Sequence, residues 1–157
     1  MTVTLRPAAL QDAALLYAWR VDGDTVRHSI APPPASFDEH SAWLTDQLRD
    51  PDIALYVAYD DERGIDVGTL RIDRRSRGES ELSITVAPGQ RGRGYSHDLI
   101  AAGILAAADS RIVARVKPDN VRSLRAFRAL GFSIVDHGDG DLMRLVHEAA
   151  PDGRAKT

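Results

Sequence analysis

Between Val86 and Ser96 the chain reads Val-Ala-Pro-Gly-Gln-Arg91-Gly92-Arg93-Gly94-Tyr95-Ser96, with a β-branched stretch before it and an alanine- and leucine-rich one after. Glycines let backbone amides approach an anion closely, and a helix N-terminus supplies further free N–H groups. Arg91 and Arg93 add charge-assisted bonds. The chemistry implied is the holding of a pyrophosphate. An ordinary turn with solvated arginines is the competing reading. Two familiar nucleotide patterns fail on spacing: the dinucleotide fingerprint needs glycine where His97 stands, and the phosphate-loop kinase pattern needs Gly-Lys-Ser/Thr at the helix start.

Before that loop, strand alternation puts Glu79, Glu81, Ser83 and Thr85 on one face and Leu82, Ile84 and Val86 on the other. The chain has no cysteine, so thiolate nucleophiles, thiolate metal ligands and disulfides are excluded together. Its histidines are scattered without ligand spacing, and no metal site is expected. A net charge of -3 disfavours generic polynucleotide binding, although Arg71, Arg74, Arg75, Arg77, Arg91 and Arg93 cluster locally.

These residues need a scaffold, and 157 residues with 43% hydrophobic and 27% charged side chains suffice for one domain, expected over 1–147 with a frayed tail over 148–157. With no apolar leader or spanning run, a cytoplasmic location is expected. The pattern predicts a strand at Val3–Arg6, then a helix from about Ala8 to Arg20 with Leu10, Ala14, Tyr17 and Ala18 inward. Val21–Ala35, with Gly23 and Pro32-Pro33-Pro34, reads as a long loop. Ser36 and Glu39 form a capping box opening a helix that carries His40, Trp43, Leu44 and Leu48. Strands follow at 53–59, 66–72 and 81–86, then a helix at 95–108, a strand at 112–116 and a helix at 120–130 stopped by Gly131. A last hairpin spans 132–146 around Gly138-Asp-Gly140. The order predicts an α/β (α+β) fold, a sheet covered by helices.

Arg91-Gly-Arg-Gly94-Tyr-Ser96 resembles the acetyl-CoA loop of the Gcn5-related N-acetyltransferases (GNAT), Gln/Arg-x-x-Gly-x-Gly/Ala, with Ser96 departing at the last position. Asn120-Val-Arg-Ser123-Leu-Arg-Ala-Phe127-Arg-Ala-Leu-Gly131-Phe132 resembles the family's next helix and terminal Gly-Phe. The resemblance implies a mixed, mostly antiparallel sheet of six to seven strands with about four helices, and acetyl-CoA as cofactor. It implies that the Val86 backbone pairs with the pantetheine arm, that Arg91, Gly92, Arg93, Gly94, Tyr95 and Ser96 hold pyrophosphate, that Asn120 and Ser123 contact the coenzyme, and that Phe127 packs beside the thioester. A helix N-cap is the alternative role for Asn120.

By the same resemblance Glu81 stands where a glutamate often takes the amine proton through water; the alternative is a solvated carboxylate. His28, His40 and His97 are weaker candidates. Phe127 occupies the place of a tyrosine that commonly protonates the leaving thiolate. Either Tyr95 or Ser123 substitutes, or coenzyme A departs as a thiolate, the favoured route for a thiol of pKa about 8.5.

Trp19, Arg20, Arg27 and Trp43 resemble the acceptor wall of enzymes acetylating nucleotide-linked amino sugars and of ribosomal-protein N-terminal acetyltransferases; for the tryptophans, core packing is the alternative. The implied function is acetylation of a primary amine on a small molecule such as an amino sugar. Alternatives are peptide N-terminal acetylation or coenzyme binding without catalysis. No nucleic-acid or membrane partner is expected, and a homodimer is compatible with the resemblance.

Overall fold

The computed structural model describes residues 3–136 and 141–149. β1 (Val3–Pro7), β2 (Ile53–Asp60), β3 (Ile65–Ser76) and β4 (Glu79–Val86) form an antiparallel run. β5 (Arg111–Val116) joins β4 in parallel, and β7 (Met143–Glu148) and β6 (Ser133–Asp136) complete a seven-stranded sheet ordered β1-β2-β3-β4-β5-β7-β6. Five helices accompany it: α1 (Ala13–Arg20), α2 (Gly23–His28), α3 (Phe37–Arg49), α4 (Tyr95–Ala107) and α5 (Val121–Ala129).

Alternation along the strands divides the buried side chains among three clusters, two of which flank the site. Leu70, Ile72 and Leu82 pack with Ile100 of α4 and with Ala126 and Phe127 of α5. Leu16 and Trp19 of α1, Leu44 of α3 and Val57 of β2 pack together in the other. Two glycines let backbones approach. A Cβ on Gly103 would lie 2.7 Å from Leu82 Cδ1, so α4 sits close on β4. A Cβ on Gly68 would lie 2.3 Å from the Thr85 carbonyl oxygen in the neighbouring strand.

Three expectations need correction. The first helix begins at Ala13, not Ala8, because the chain stays extended to Pro7 and then makes a 3-10 turn over Leu10–Asp12. Asp12 holds that turn: it takes two bonds of 2.9 Å from Arg6 and one of 2.8 Å from the Ala9 N–H. The later start turns Leu16 and Trp19 inward and leaves Leu10 55% exposed. Second, the expected loop 21–35 contains α2, started by Asp22 accepting the Thr25 N–H. Third, Glu148 pairs with Arg111 in the sheet and the Ala149 N–H reaches the Ser110 carbonyl, so the tail is held through Ala149. The expected Gly138-Asp-Gly140 turn and the chain after Ala149 lie outside the described residues.

Other local expectations match. Ser36 Oγ accepts the Glu39 N–H, while the Glu39 carboxylate reaches the Ala35 N–H, one residue earlier than in the standard box. Among the described residues no helix is long and apolar enough to cross a membrane.

Candidate active site

β4 and β5 pair at Glu79–Arg111, Ser80–Ile112 and Glu81–Val113, and then part. From Leu82 to Val86, β4 keeps its antiparallel partner β3 but has no strand on its other side. A backbone edge with free N–H and C=O groups needs a partner, which makes the fork a place for an extended, amide-bearing ligand. A cleft of about 890 Å³ opens there.

The cleft is lined by Val86, Ser96, Asn120, Ser123 and Phe127, and by Trp19, Arg20, His40, Trp43, Arg71 and Asp73. Each expected coenzyme residue can be placed. Gly89, Gly92 and Gly94 take positive φ of 84°, 78° and 86°, the conformation that glycine adopts freely, and Gly94 starts α4. Ser96 lies in the first turn of α4 and faces the cleft. Asn120 is the N-cap of α5, accepting the Ser123 N–H at 3.4 Å, and also lines the cleft. Phe127 is 2% exposed, set edge-on to Phe132 at 4.9 Å, and borders the cleft from the core.

Arg91 is already engaged. Its Nη2 donates to Asp22 Oδ2 at 2.9 Å and Thr25 Oγ1 at 3.0 Å, and its Nη1 lies 3.6 Å from Asp24. The contact holds the Asp22 carboxyl below its ordinary range, chiefly through the hydrogen bond from Arg91. Arg93 is exposed and outside the cleft lining. Tyr95 departs from the expectation for its side chain: it is 1% exposed, donates to Asp60, accepts from Arg63 at 2.9 Å, and packs under α4 with Leu99, away from the cleft. It does not stand in for the missing acid, and among the described residues no tyrosine lines the cleft.

Glu81 lines the cleft at the fork and is 5% exposed. Arg115 of β5 donates to both its oxygens, Nε to Oε1 at 3.0 Å and Nη2 to Oε2 at 2.9 Å, and Arg75 of β3 donates to Oε1. The β3–β4 register shifts between Arg74 and Ser76, at the residue that carries this contact.

Trp43 is 39% exposed, with the Arg71 guanidinium 5.8 Å from its ring and the His40 ring tilted against it at 5.3 Å. Trp19 is 9% exposed and is a core residue with one edge on the cleft. Arg20 Nη2 donates to the Ala31 and Pro32 carbonyls at 2.8 and 2.9 Å. Arg27 is exposed and near Asp24, while its carbonyl accepts from Lys117 at 2.8 Å. His28 and His40 line the cleft, but His97 is exposed outside it. Burial, with the Arg20 charge beside it, holds the His40 imidazole below its ordinary pKa. No group of three or more metal-ligating side chains occurs among the described residues.

The sequence reading gave no site role to Arg115, Arg75, Asp22 or Asp24. Arg115 alone left a signal: a charged residue inside the apolar run Ile112-Val-Ala-Arg-Val116 asks for a partner across the sheet.

The profile of the acetyltransferase (GNAT) domain matches residues 2–133. No curated protein sequence matches the chain. Among solved structures, the spermidine N-acetyltransferase of Vibrio cholerae in complex with CoA and spermine superposes with a TM-score of 0.82 at 19% identity, covering 93% of this chain and 95% of that one. A domain from Methanocaldococcus jannaschii gives 0.78 at 19% identity, with 94% and 99% covered. At these identities the neighbours establish the shared fold, and the family profile establishes the rest: the chain belongs to the GNAT acetyltransferase family, enzymes that transfer acetyl from acetyl-CoA to an amine.

Proposed function

We propose that acetyl-CoA lies in the fork between β4 and β5 and that the acceptor is the primary amine of a small molecule seated against Trp43, of the amino-sugar class or its nucleotide-linked form. The observation that carries this reading is the parting of β4 from β5 after Glu81–Val113. The unpaired edge from Leu82 to Val86 matches the amides of a pantetheine arm, and the glycine loop with Ser96 and Arg91 suits its pyrophosphate. Asn120, Ser123 and Phe127 complete that side. The coenzyme supplies an activated thioester.

The chain's own contribution is positional. With both oxygens of Glu81 held by guanidinium groups, the carboxylate ties β3, β4 and β5 together at the root of the fork. We assign it to holding the fork and leave the amine proton to solvent. An amine with a pKa of about 8 already carries a neutral fraction near neutrality. Alignment of the two reactants then carries most of the rate enhancement.

Trp43 offers an aromatic face, and Thr69, Ser83 and Thr85 line the floor with hydroxyls, a combination suited to stacking on and bonding a polyol ring. Trp19, Arg20 and Arg27 complete the acceptor wall. The test is calorimetric titration with acetyl-CoA, coenzyme A and ATP, followed by an acceptor screen with amino sugars, spermidine and an N-terminal peptide. Micromolar binding of the coenzymes and not of ATP, with turnover of amino sugars, is the expected result. Turnover of spermidine or peptide alone would replace the acceptor class.

A further inference from the structure

The arginines that line the cleft are not equivalent. Arg71 pairs with Asp73 at 3.0 Å, Arg91 with Asp22, Arg115 with Glu81, and Arg27 lies 3.8 Å from Asp24. Arg20 and Arg122 have no carboxylate partner among the described residues; Arg122 is exposed on α5, whereas Arg20 is half-buried. Its Nη2 is spent on two backbone carbonyls, and its Nη1 is buried with no hydrogen-bond partner. Two histidines lining the same cleft share the condition: His40, 3% exposed, has an unpartnered Nδ1, and His28 an unpartnered Nε2. Burying a cation and polar nitrogens without partners costs folding free energy, so such a group is retained where a ligand completes it.

Three of the five carboxylates that line the cleft are paired. Asp24, Asp73 and Glu81 already face guanidinium groups, and Glu39 accepts the Ala35 N–H. Asp119 lines the cleft with no cationic partner among the described residues.

We propose that the acceptor carries an anionic group, carboxylate or phosphoryl, besides its amine, and that Arg20 anchors that group. The inference deepens the acetyltransferase reading and rests on it. Arg20 lies at the C-terminal end of α1, and its Nη2 bonds brace the 31–32 segment, so the guanidinium is held in place before the ligand arrives. Preorganisation of this kind lowers the cost of binding.

Three probes share one ring and one amine: glucosamine, glucosamine 6-phosphate and muramic acid. Calorimetric titration of each, and of spermidine, into protein saturated with coenzyme A isolates the acceptor end. One of the two anionic sugars should bind on the order of tenfold to a hundredfold more tightly than glucosamine, as a charge-assisted bond provides. Which of them does so distinguishes phosphoryl from carboxylate. That advantage should vanish in Arg20→Gln and survive in part in Arg20→Lys, with folding of each variant checked by circular dichroism. Equal binding of all three sugars, preference for spermidine, or an advantage kept in Arg20→Gln overturns the proposal. Failure of the folded protein to bind coenzyme A would instead remove the acetyltransferase reading beneath it.

Discussion

Arg115 of β5 grips both carboxylate oxygens of Glu81 at the last paired position before β4 and β5 part. The ion pair thus spans the root of the cleft. Glu81→Gln keeps the size of the side chain and removes its charge, leaving Arg75 and Arg115 unpaired. Since both arginines keep partial contact with solvent, the loss of stability should be about 1–3 kcal/mol. A denaturant melt measures that loss. The pH–rate profile measures the rest: an acidic limb unchanged in the variant fits a carboxylate that holds the fork, and a displaced limb would make Glu81 the base.

Asp22 and the coenzyme's phosphates compete for one guanidinium. Arg91→Ala should weaken acetyl-CoA binding on the order of tenfold or more, the value of a charge-assisted contact. Asp22→Asn keeps an N-cap for α2 but frees Arg91, and should tighten binding by about two- to fivefold, the scale of a part-exposed ion pair. Calorimetry on both variants checks the sign. Tightening in Arg91→Ala, or weakening in Asp22→Asn, would exclude competition.

Gly68 has no room for a side chain. Its Cβ would meet the Thr85 carbonyl oxygen at 2.3 Å, a backbone atom that moves only if β3 and β4 separate locally. Gly68→Ala should cost about 1–3 kcal/mol in a urea melt. It should also weaken coenzyme binding, because Gly68 pairs with Val86 at the open edge. A variant with unchanged melting and affinity would contradict the close approach.

His40 makes stability depend on pH. Burial and the neighbouring Arg20 charge lower its pKa in the folded protein, so the unfolded chain takes up a proton that the folded one resists. The sign follows: stability is fullest above the unfolded histidine value of about 6.5 and falls as pH drops through it toward the folded value. His40→Phe should lose less stability than the parent between pH 7 and pH 5. Equal losses in paired denaturant melts would place the imidazole in solvent.

The sequence alone determined the order of elements and the type of loop, because both are written locally. Apolar alternation marks β2 to β5, Ser36 and Asn120 cap helices with their own side chains, and the glycines of 89–94 permit positive φ without any distant partner. The first helix was misplaced because its start is set by the Arg6–Asp12 pair, which competes with a periodicity that would otherwise run on from Ala8. Pairing across distance belonged to tertiary structure only. Nothing in the chain near Glu81 announces Arg115, 34 residues away, and nothing near Arg91 announces Asp22, 69 residues away. Tyr95 shows the same limit: it stands in the phosphate loop by sequence, yet its ring turns into the core because Asp60 waits there for a donor. Local sequence fixes backbone conformation through steric and capping terms of short range. Which charges are neutralised, and which are left open in the cleft, depends on segments that meet only when the sheet closes.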